Sequence, residues 1–258
     1  LQLVNDILDL SKIEAGQMRL DAQDFCPLDI TEDTMSTYSA FAQSKGLQLY
    51  ACIDCTLPDR VRGDPVRIRQ ILNNLLSNPI KFTDSGQVVL WVRVLEQSDE
   101  ISILQWQVSD SGIGISRAQQ AQLFEPFYQV RNTVSEGGAG LGLSICRRLC
   151  EMMGGILDVI SEPGLGSSFT LQLKLERVPG ELAYCPEFKP QAEPVYVRAP
   201  APELAQHICN WLNRLGVHAR LLNMDAHTVD RSVLLVDMLA SDNPRDWPGP
   251  RIIATANG

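Results

Sequence analysis

The stretch "LNNLLSNPIKFT", residues 72 to 83, sets a proline inside what its apolar spacing marks as a helix. Upstream, "GDPVRIRQI" supplies the start. Asp64 is placed to cap the first turn, and Pro65 stands where its missing N–H costs nothing. Ile68, Ile71, Leu72 and Leu75 then fall on one face, the expected core face. Asn74, Asn78 and Lys81 follow at spacings of four and three, so they form a second, polar stripe. Two amides and an ammonium in line suit an anionic ligand or a hydrated metal. Pro79 works against this, because it removes a hydrogen bond to the Leu75 carbonyl and crowds it, at a cost of about 3 kcal/mol. Two readings stand. Either the helix kinks or ends near Asn78 and the polar stripe still works, or ligand binding is weakened and the segment serves as a docking module.

Around this helix the chain alternates patterns. "LQLVNDILDLSKIEAGQMRL" is amphipathic and predicts a helix running toward Leu20; it opens without a cap, so a longer helix is expected to begin before it. "CPLDITEDTMSTYSAFAQSKG" predicts a second helix, and "LQLYACIDC" alternates like a strand. Two strands, "QVVLWVRVLEQ" and "ISILQWQVSD", are joined by a short polar link. "SRAQQAQLF" predicts a short helix, "EPFYQVRNTVSEGGAG" a long loop of the lid kind, and "LGLSICRRLCEMMGG" a helix closed by glycines. "ILDVISEPGLGSSFTLQLKLER" reads as a strand, a glycine turn and a strand. Up to Arg177 this predicts an α/β layer structure with a mainly antiparallel sheet. Residues 178–194 carry four prolines without periodicity and read as a linker. Beyond them, "VYVRA", "PELAQHICNWLNRLG", "HARLLN", "RSVLLVDML" and "RIIATANG" predict a small parallel α/β unit, expected to stop short of completion.

A net charge of −9 argues against a general nucleic-acid binder, although a local phosphate site needs only a few donors. No run of about 18 apolar residues and no signal peptide is present, so no direct membrane contact is expected. Seven scattered cysteines, an odd number, fit reduced thiols rather than a disulfide framework. Cys52 and Cys55 have redox-motif spacing but end a strand-like stretch, which favours core or edge thiols; Cys146 and Cys150 read as buried small groups on a helix.

Chemistry gathers in three glycine-rich punctuations: "DSGIG" (110–114), "GGAGLGL" (137–143) and "GLGSS" (164–168). Each alone is a tight turn. Together they offer backbone that a ligand can approach closely, and the second leads into a helix whose N-terminus favours phosphate.

In order and spacing, "NNLLSNPIKFT", "DSGIGI", "LFEPFYQ", "GGAGLGLSI" and "GLGSSF" resemble the N, G1, F, G2 and G3 boxes of sensor histidine kinases, in the hybrid style of bacterial two-component phosphorelays. The resemblance covers residues 1 to about 177. It implies an α/β fold, the two-layer Bergerat ATP-binding sandwich (26–177), preceded by the end of the second helix of a dimerisation and phosphotransfer hairpin (1–25). Residues 195–258 loosely resemble the small α/β/loop domain of the Rcs-type hybrid kinase, or a receiver.

By position, the family implies ATP and Mg²⁺ as ligands. Asn74 and Asn78 match the N-box asparagines, with Asn78 the metal ligand and Lys81 a phosphate contact; Asn78 and Lys81 are the catalytic pair. Asp110 would take the adenine amino group, with Gly112 and Gly114 opening space beside the base. Phe124 and Phe127 would anchor the lid, unless they are plain core residues, and Gly138, Gly140, Leu141 and Gly142 would wrap the phosphates. Hydrolytic relatives resembling gyrase, MutL and Hsp90 carry a glutamate four residues before the metal-binding asparagine. Asn74 stands there and cannot act as a general base, which favours a kinase.

The implied partners are the dimerisation hairpin, as a homodimer, and a response regulator or relay domain, on the cytoplasmic side of a membrane-bound sensor. The acceptor histidine is expected on a hairpin helix outside this chain, since His207, His218 and His227 lie beyond the linker. Asp237 superficially resembles a receiver's phospho-accepting aspartate. Arg198 and prolines stand where a receiver's acidic pair belongs, so a structural or interaction module is the better reading. Pro79 in place of alanine and Ala139 in place of threonine are the departures from the family pattern.

Overall fold

The computed structural model describes residues 2–129, 139–179, 194–214, 216–222, 234–238 and 251–253. The chain divides into two compact units, Leu1–Ala51 with Thr56–Glu181, and Cys52–Cys55 with Leu182–Gly258.

From the N-terminus to Arg177 the elements are α1 (Gln2–Glu14), β1 (Gln23–Phe25), α2 (Pro27–Ser44), β2 (Gln48–Ile53), β3 (Val61–Gly63), α3 (Pro65–Phe82), β4 (Gln87–Gln97), β5 (Ile101–Asp110), α4 (Arg117–Gln120), α5 (Gly142–Met152), β6 (Ile156–Glu162) and β7 (Gly166–Arg177). The strands form one sheet in the order β1-β3-β7-β5-β4-β2, with β6 also on β7. β4 against β5, β5 against β7 and β6 against β7 are all antiparallel. Strict alternation along β5 sends Leu104, Trp106 and Val108 into the core. Ile68, Ile71, Leu72 and Leu75 of α3 and Ile145 and Leu149 of α5 are fully buried as well, with α3 packed on both β5 and α5. The Trp106 indole N–H donates to Thr31 Oγ1 of α2, so the largest core side chain has its polar atom satisfied. This is the expected two-layer α/β sandwich.

α3 begins as the sequence predicts. The Asp64 carboxylate accepts the Arg67 N–H at 3.0 Å and, from outside the helix, the Asp21 N–H at 2.9 Å. Its end corrects the expectation of a stop near Asn78. The helix runs on to Phe82, Pro79 is buried within it, and the Thr83 N–H closes the last turn on the Pro79 carbonyl at 2.8 Å. A side chain from another element holds this end. Lys45 Nζ, just past α2, donates to the carbonyls of Ile80 (2.8 Å), Lys81 (2.9 Å) and Thr83 (3.4 Å). An ammonium over the last carbonyls is the favourable sign for a helix C-terminus, and it replaces order that the proline removes.

Three further boundaries differ from the sequence reading. α1 ends at Glu14 rather than near Leu20, because Gly16 takes a left-handed φ of 64° and turns the chain. "SRAQQAQLF" yields helix only over Arg117–Gln120, fixed by a capping box between Ser116 and Gln119. The short strands β1 and β3 have too few residues for a periodic signal. Among the described residues, no helix is long and apolar enough to cross a membrane.

In the second unit, β8 (Val195–Arg198), α6 (Pro202–Arg214), β9 (Ala219–Leu221), β10 (Leu235–Asp237) and β11 (Arg251–Ile253) form the expected parallel sheet, in the order β11-β10-β8-β9. Val197, Ala205, Cys209 and Ala219 make its core. At the carboxyl ends of β8 and β10, where strand order reverses, Arg198 meets the fully buried Asp237 through two bonds, Nε to Oδ1 at 3.0 Å and an Nη2 to Oδ2 contact of 2.5 Å. Most of the proposed 178–194 linker lies outside the described residues, as does His227.

Candidate functional site

Asn74, Asn78 and Lys81 lie on one stripe of α3, all half-buried, beside the fully buried apolar face. The C-terminal end of this stripe and the glycine turns meet at the ends of β5, β6 and β7. Gly142, the first residue of α5, runs so close to Asn74 that a Cβ there would stand 2.8 Å from its Oδ1. Among the described residues no side chain caps α5, and its first amide N–H groups offer donors to a ligand. Leu141 is fully buried and its carbonyl accepts from Ile145 and Ser144, which leaves only backbone for any ligand contact.

Asp110 ends β5. Its Oδ1 accepts the Gly112 N–H at 2.8 Å and the Ser167 N–H at 3.3 Å, binding the first glycine turn to the third. Burial pushes the Asp110 carboxyl above the ordinary carboxylate range, and these two amides pull it partly back. The turns also interlock through backbone. Gly114, at φ 70°, sits where a Cβ would lie 2.0 Å from the Glu162 carbonyl oxygen, and the Gly164 N–H donates to the Ile113 carbonyl at 2.7 Å. Gly112 packs on the end of α3. A Cβ on it would stand 2.8 Å from Thr83 Oγ1, 2.9 Å from Asp110 Oδ1 and 3.0 Å from the Phe82 carbonyl oxygen. The result is a half-buried acceptor at the bottom of a side-chain-poor rim, which suits a flat base with an exocyclic amine.

Phe124 and Phe127 do not pack as core residues. Phe127 is 67% exposed at a left-handed φ of 63°, and its N–H donates to the Gly140 carbonyl at 3.0 Å. Gly140 is itself left-handed, and a Cβ would stand 2.7 Å from the Tyr128 carbonyl oxygen. Phe124 lies under the Arg147 guanidinium of α5, 4.0 Å from its ring centre. Phe127 thus joins the two flanks of segment 130–138 through Gly140, and Phe124 ties the first flank to α5. That segment, with Gly138 and most of the expected lid, is outside the described residues.

Sequence reasoning passed over Thr83, Ser167, Arg147 and Lys45. Thr83, at the end of "NNLLSNPIKFT", and Ser167, inside "GLGSS", lay within motifs; Arg147 and Lys45 did not. The thiols behave as expected: Cys52, Cys146 and Cys150 are buried, with burial pushing Cys146 to about 12 and Cys150 to about 11. Among the described residues no cluster of His, Cys, Asp or Glu could hold a metal. Any cation here would therefore rest on a ligand's own oxygens and an amide such as Asn78, which Mg²⁺ accepts. A separate 530 Å³ cleft between α1 and α3, lined by Asn5, Asp6, Leu8, Asp9, Lys12 and Gln70, shares no residue with this site.

Residues 63–177 match the family described as histidine kinase-, DNA gyrase B-, and HSP90-like ATPase. Among curated proteins, the sensor histidine kinase RcsC of Salmonella typhimurium is 37% identical over 247 residues, 92% of this chain and 24% of that protein. The virulence sensor protein BvgS of Bordetella bronchiseptica is 37% identical over 261 residues, the whole of this chain and 19% of that protein. The chain thus spans a quarter or less of the length of these relatives. Full-length ShkA in complex with AMPPNP superposes with a TM-score of 0.75 at 26% identity, covering 95% of this chain and 50% of that one. The two-layer α/β domain of this chain, over residues 63–177, thus belongs to the histidine kinase-, DNA gyrase B-, and HSP90-like ATPase family.

Proposed function

We propose that this chain binds ATP with Mg²⁺ and passes the γ-phosphoryl group to a histidine on a dimerisation hairpin, for relay to a response regulator. The observation that carries the reading is Asn74. It stands at the start of the polar stripe, against Gly142 at the α5 N-terminus, and its amide cannot take a proton from water. A phosphate chain held there is protected from hydrolysis and kept for an external nucleophile. AMPPNP in the ShkA structure supports the nucleotide.

Residue roles follow from the chemistry. The Asp110 carboxylate accepts from the adenine amine, and Gly112 and Gly114 keep the rim free of side chains. Asn78 offers an amide oxygen to Mg²⁺, which draws charge from the phosphates. Lys81, one turn on, adds a positive charge, while Gly138, Gly140, Leu141 and Gly142 offer backbone to the phosphates. In the transfer, an imidazole nitrogen forms the P–N bond as the bond from the γ-phosphorus to the β,γ-bridging oxygen breaks, and ADP leaves. The docking-module reading requires Pro79 to weaken ligand binding; continuation of α3 three residues past the proline supports the catalytic reading instead.

We read residues 1–25 as the end of the hairpin, 26–177 as the catalytic domain and 195–258 as an interaction module, on the cytoplasmic side of a membrane-bound homodimeric sensor. Pairing of Asp237 with Arg198 supports a module that is not itself phosphorylated. The test is phosphorylation in trans of a purified hairpin carrying the acceptor histidine. Acid-labile, alkali-stable label on the hairpin is expected. Release of free phosphate without labelling would point instead to a hydrolase, and tight ATP binding with neither product to a sensing module.

A further inference from the structure

Lys45 follows the last residue of α2, and its ammonium makes three contacts that all go to the end of α3. Nζ reaches the carbonyl oxygens of Ile80 at 2.8 Å, Lys81 at 2.9 Å and Thr83 at 3.4 Å, one for each N–H bond a lysine has. What precedes this end makes the contacts matter. Pro79 withholds an N–H from the Leu75 carbonyl, and its ring disfavours helical backbone at the residue before it, which is Asn78. The turn after the proline is also the last of α3, where carbonyls run out of helical partners. The Thr83 N–H supplies one to Pro79, and Lys45 supplies those of Ile80 and Lys81. On the other side of the proline, the Tyr38 hydroxyl of α2 donates to the Asn73 carbonyl at 3.1 Å. α2 therefore grips α3 before and after the interruption, and Asn74, Asn78 and Lys81 all fall inside the gripped span, residues 73–83. The grip has a firm base. The Lys45 N–H closes on the carbonyls of Phe41 and Ala42, and Gly46 turns the chain away at a left-handed φ of 69°.

We propose that Lys45 is a positioning residue for phosphoryl transfer, clamping the turn after Pro79 so that Asn78 and Lys81 keep one register toward the metal and the phosphates. The inference rests on the nucleotide reading above and deepens it. Lys45 spends its donors on α3 and acts through the backbone of Lys81, whose carbonyl it holds. Without the clamp, the turn after a helical proline relaxes by unwinding from Phe82 or by pivoting at Asn78. Either motion shifts the Asn78 amide against the Lys81 ammonium, and a misplacement of about 1 Å is enough to slow a transfer heavily. The role is conditional on the proline. With alanine at position 79 the N–H returns to Leu75, the helix holds its own end, and the clamp becomes redundant.

The decisive experiment is a double-mutant cycle on the whole chain: parent, Lys45→Met, Pro79→Ala and the two combined, with Lys45→Arg as the conservative rescue. Methionine keeps the apolar stem and removes the charge and its donors. Each protein is measured for melting temperature, for calorimetric affinity for Mg·ATP, and for the rate of labelling a purified hairpin as a function of Mg²⁺. In the parent background, Lys45→Met should slow labelling about tenfold and raise the half-saturating Mg²⁺ concentration about threefold. In the Pro79→Ala background it should change either by no more than about twofold, a departure from additivity that reports the coupling. Lys45→Arg returns charge and donors and should restore the Mg²⁺ dependence. A lower melting temperature with the Mg²⁺ dependence unmoved overturns the proposal, because the contact then serves stability alone. Equal losses in both backgrounds overturn it too, since the clamp would not be answering the proline. If Lys45→Met does not fold, a combined variant that labels near the Pro79→Ala rate supports the proposal, and one that also fails to fold overturns it. A parent chain that binds no nucleotide, or leaves the hairpin unlabelled, overturns the nucleotide reading and this one with it.

Discussion

Replacing Pro79 by alanine tests whether the interruption in α3 is tolerated or disabling. Proline in a helix interior is about 3 kcal/mol worse than alanine. Two effects oppose the gain. Pro79 is buried, and trimming its ring to a methyl removes two methylenes, about 1.6 kcal/mol of transfer energy. The unfolded chain also recovers freedom that the ring had restricted, at roughly 0.4–1 kcal/mol. The net is a stabilisation of about 0.5–1 kcal/mol, or about 1–4 °C in melting temperature for a chain of this size. The gain is modest because the helix end is already held, by the Thr83 N–H on the Pro79 carbonyl and by Lys45 on the carbonyls of Ile80, Lys81 and Thr83. The polar stripe should therefore be in register in both proteins, and Mg·ATP affinity should differ by no more than about twofold, one side chain away from any ligand contact. Calorimetric titration of both chains, with thermal melts alongside, decides it. Nucleotide binding that appears only with alanine would refute the argument, because the proline would then be disrupting a helix that geometry says is intact. A lower melting temperature for the alanine chain would refute the energy balance.

Asp110→Asn should raise the ligand-free melting temperature by relieving the desolvated charge, while weakening Mg·ATP about tenfold to a hundredfold through loss of a charge-assisted bond, read by calorimetry. The sign with pH follows from the raised Asp110 carboxyl. Its contribution to ligand-free stability is greatest at acid pH and is lost as pH rises through the raised value, whereas ATP affinity falls as pH drops through it, starting at a higher pH than an ordinary carboxylate would. Thiol labelling at mild alkaline pH should spare Cys146 and Cys150, held near 12 and 11, until the first unit unfolds in denaturant. In the second unit, Asp237→Ala should strand the Arg198 charge and cost about 3–5 kcal/mol, seen as lost amide-exchange protection at Val197 and Val236, and Arg198→Met with Asp237→Leu should restore it.

Periodicity made the sheet legible. The long strands β4, β5 and β7 and the core face of α3 follow from alternation and helical spacing, because burial on one face forces that pattern. The site was legible as motifs, since glycines at fixed places mark backbone that must be approached. What escaped has physical causes. β1 and β3 are three residues each, too short for a period to show. The stop of α1 at Glu14 turned on the φ of Gly16, while the spacing of apolar residues continued past it. Lys45 reaches α3 across 35 residues of sequence, and Arg147 stacks on Phe124 from a different element. Such contacts exist only once tertiary structure brings their partners together.

Four local conflicts in the first unit gather at one rim, while another buried hydroxyl without a partner, that of Ser102, lies at the opposite end of β5. Pro79 lacks a helix donor, Thr83 buries an unpaired hydroxyl, Asp110 carries a desolvated carboxylate and Phe127 holds a left-handed backbone. Each costs about 1–3 kcal/mol by itself, and a fold selected for stability alone would have no reason to keep them together. Two lie at the end of α3, one at the start of the glycine turn packed on that end, and one on the flank that Gly140 clasps to the α5 start. Ser102 apart, the rest of the unit obeys local rules closely: a capped α3 start, an alternating β5, a satisfied Trp106. Concentrated expense at one rim, against consistency around it, is the pattern of a site kept for a ligand. A ligand that answers the desolvated Asp110 supplies a donor there and brings anionic oxygens to the stripe and the α5 amides. An adenine nucleotide has both.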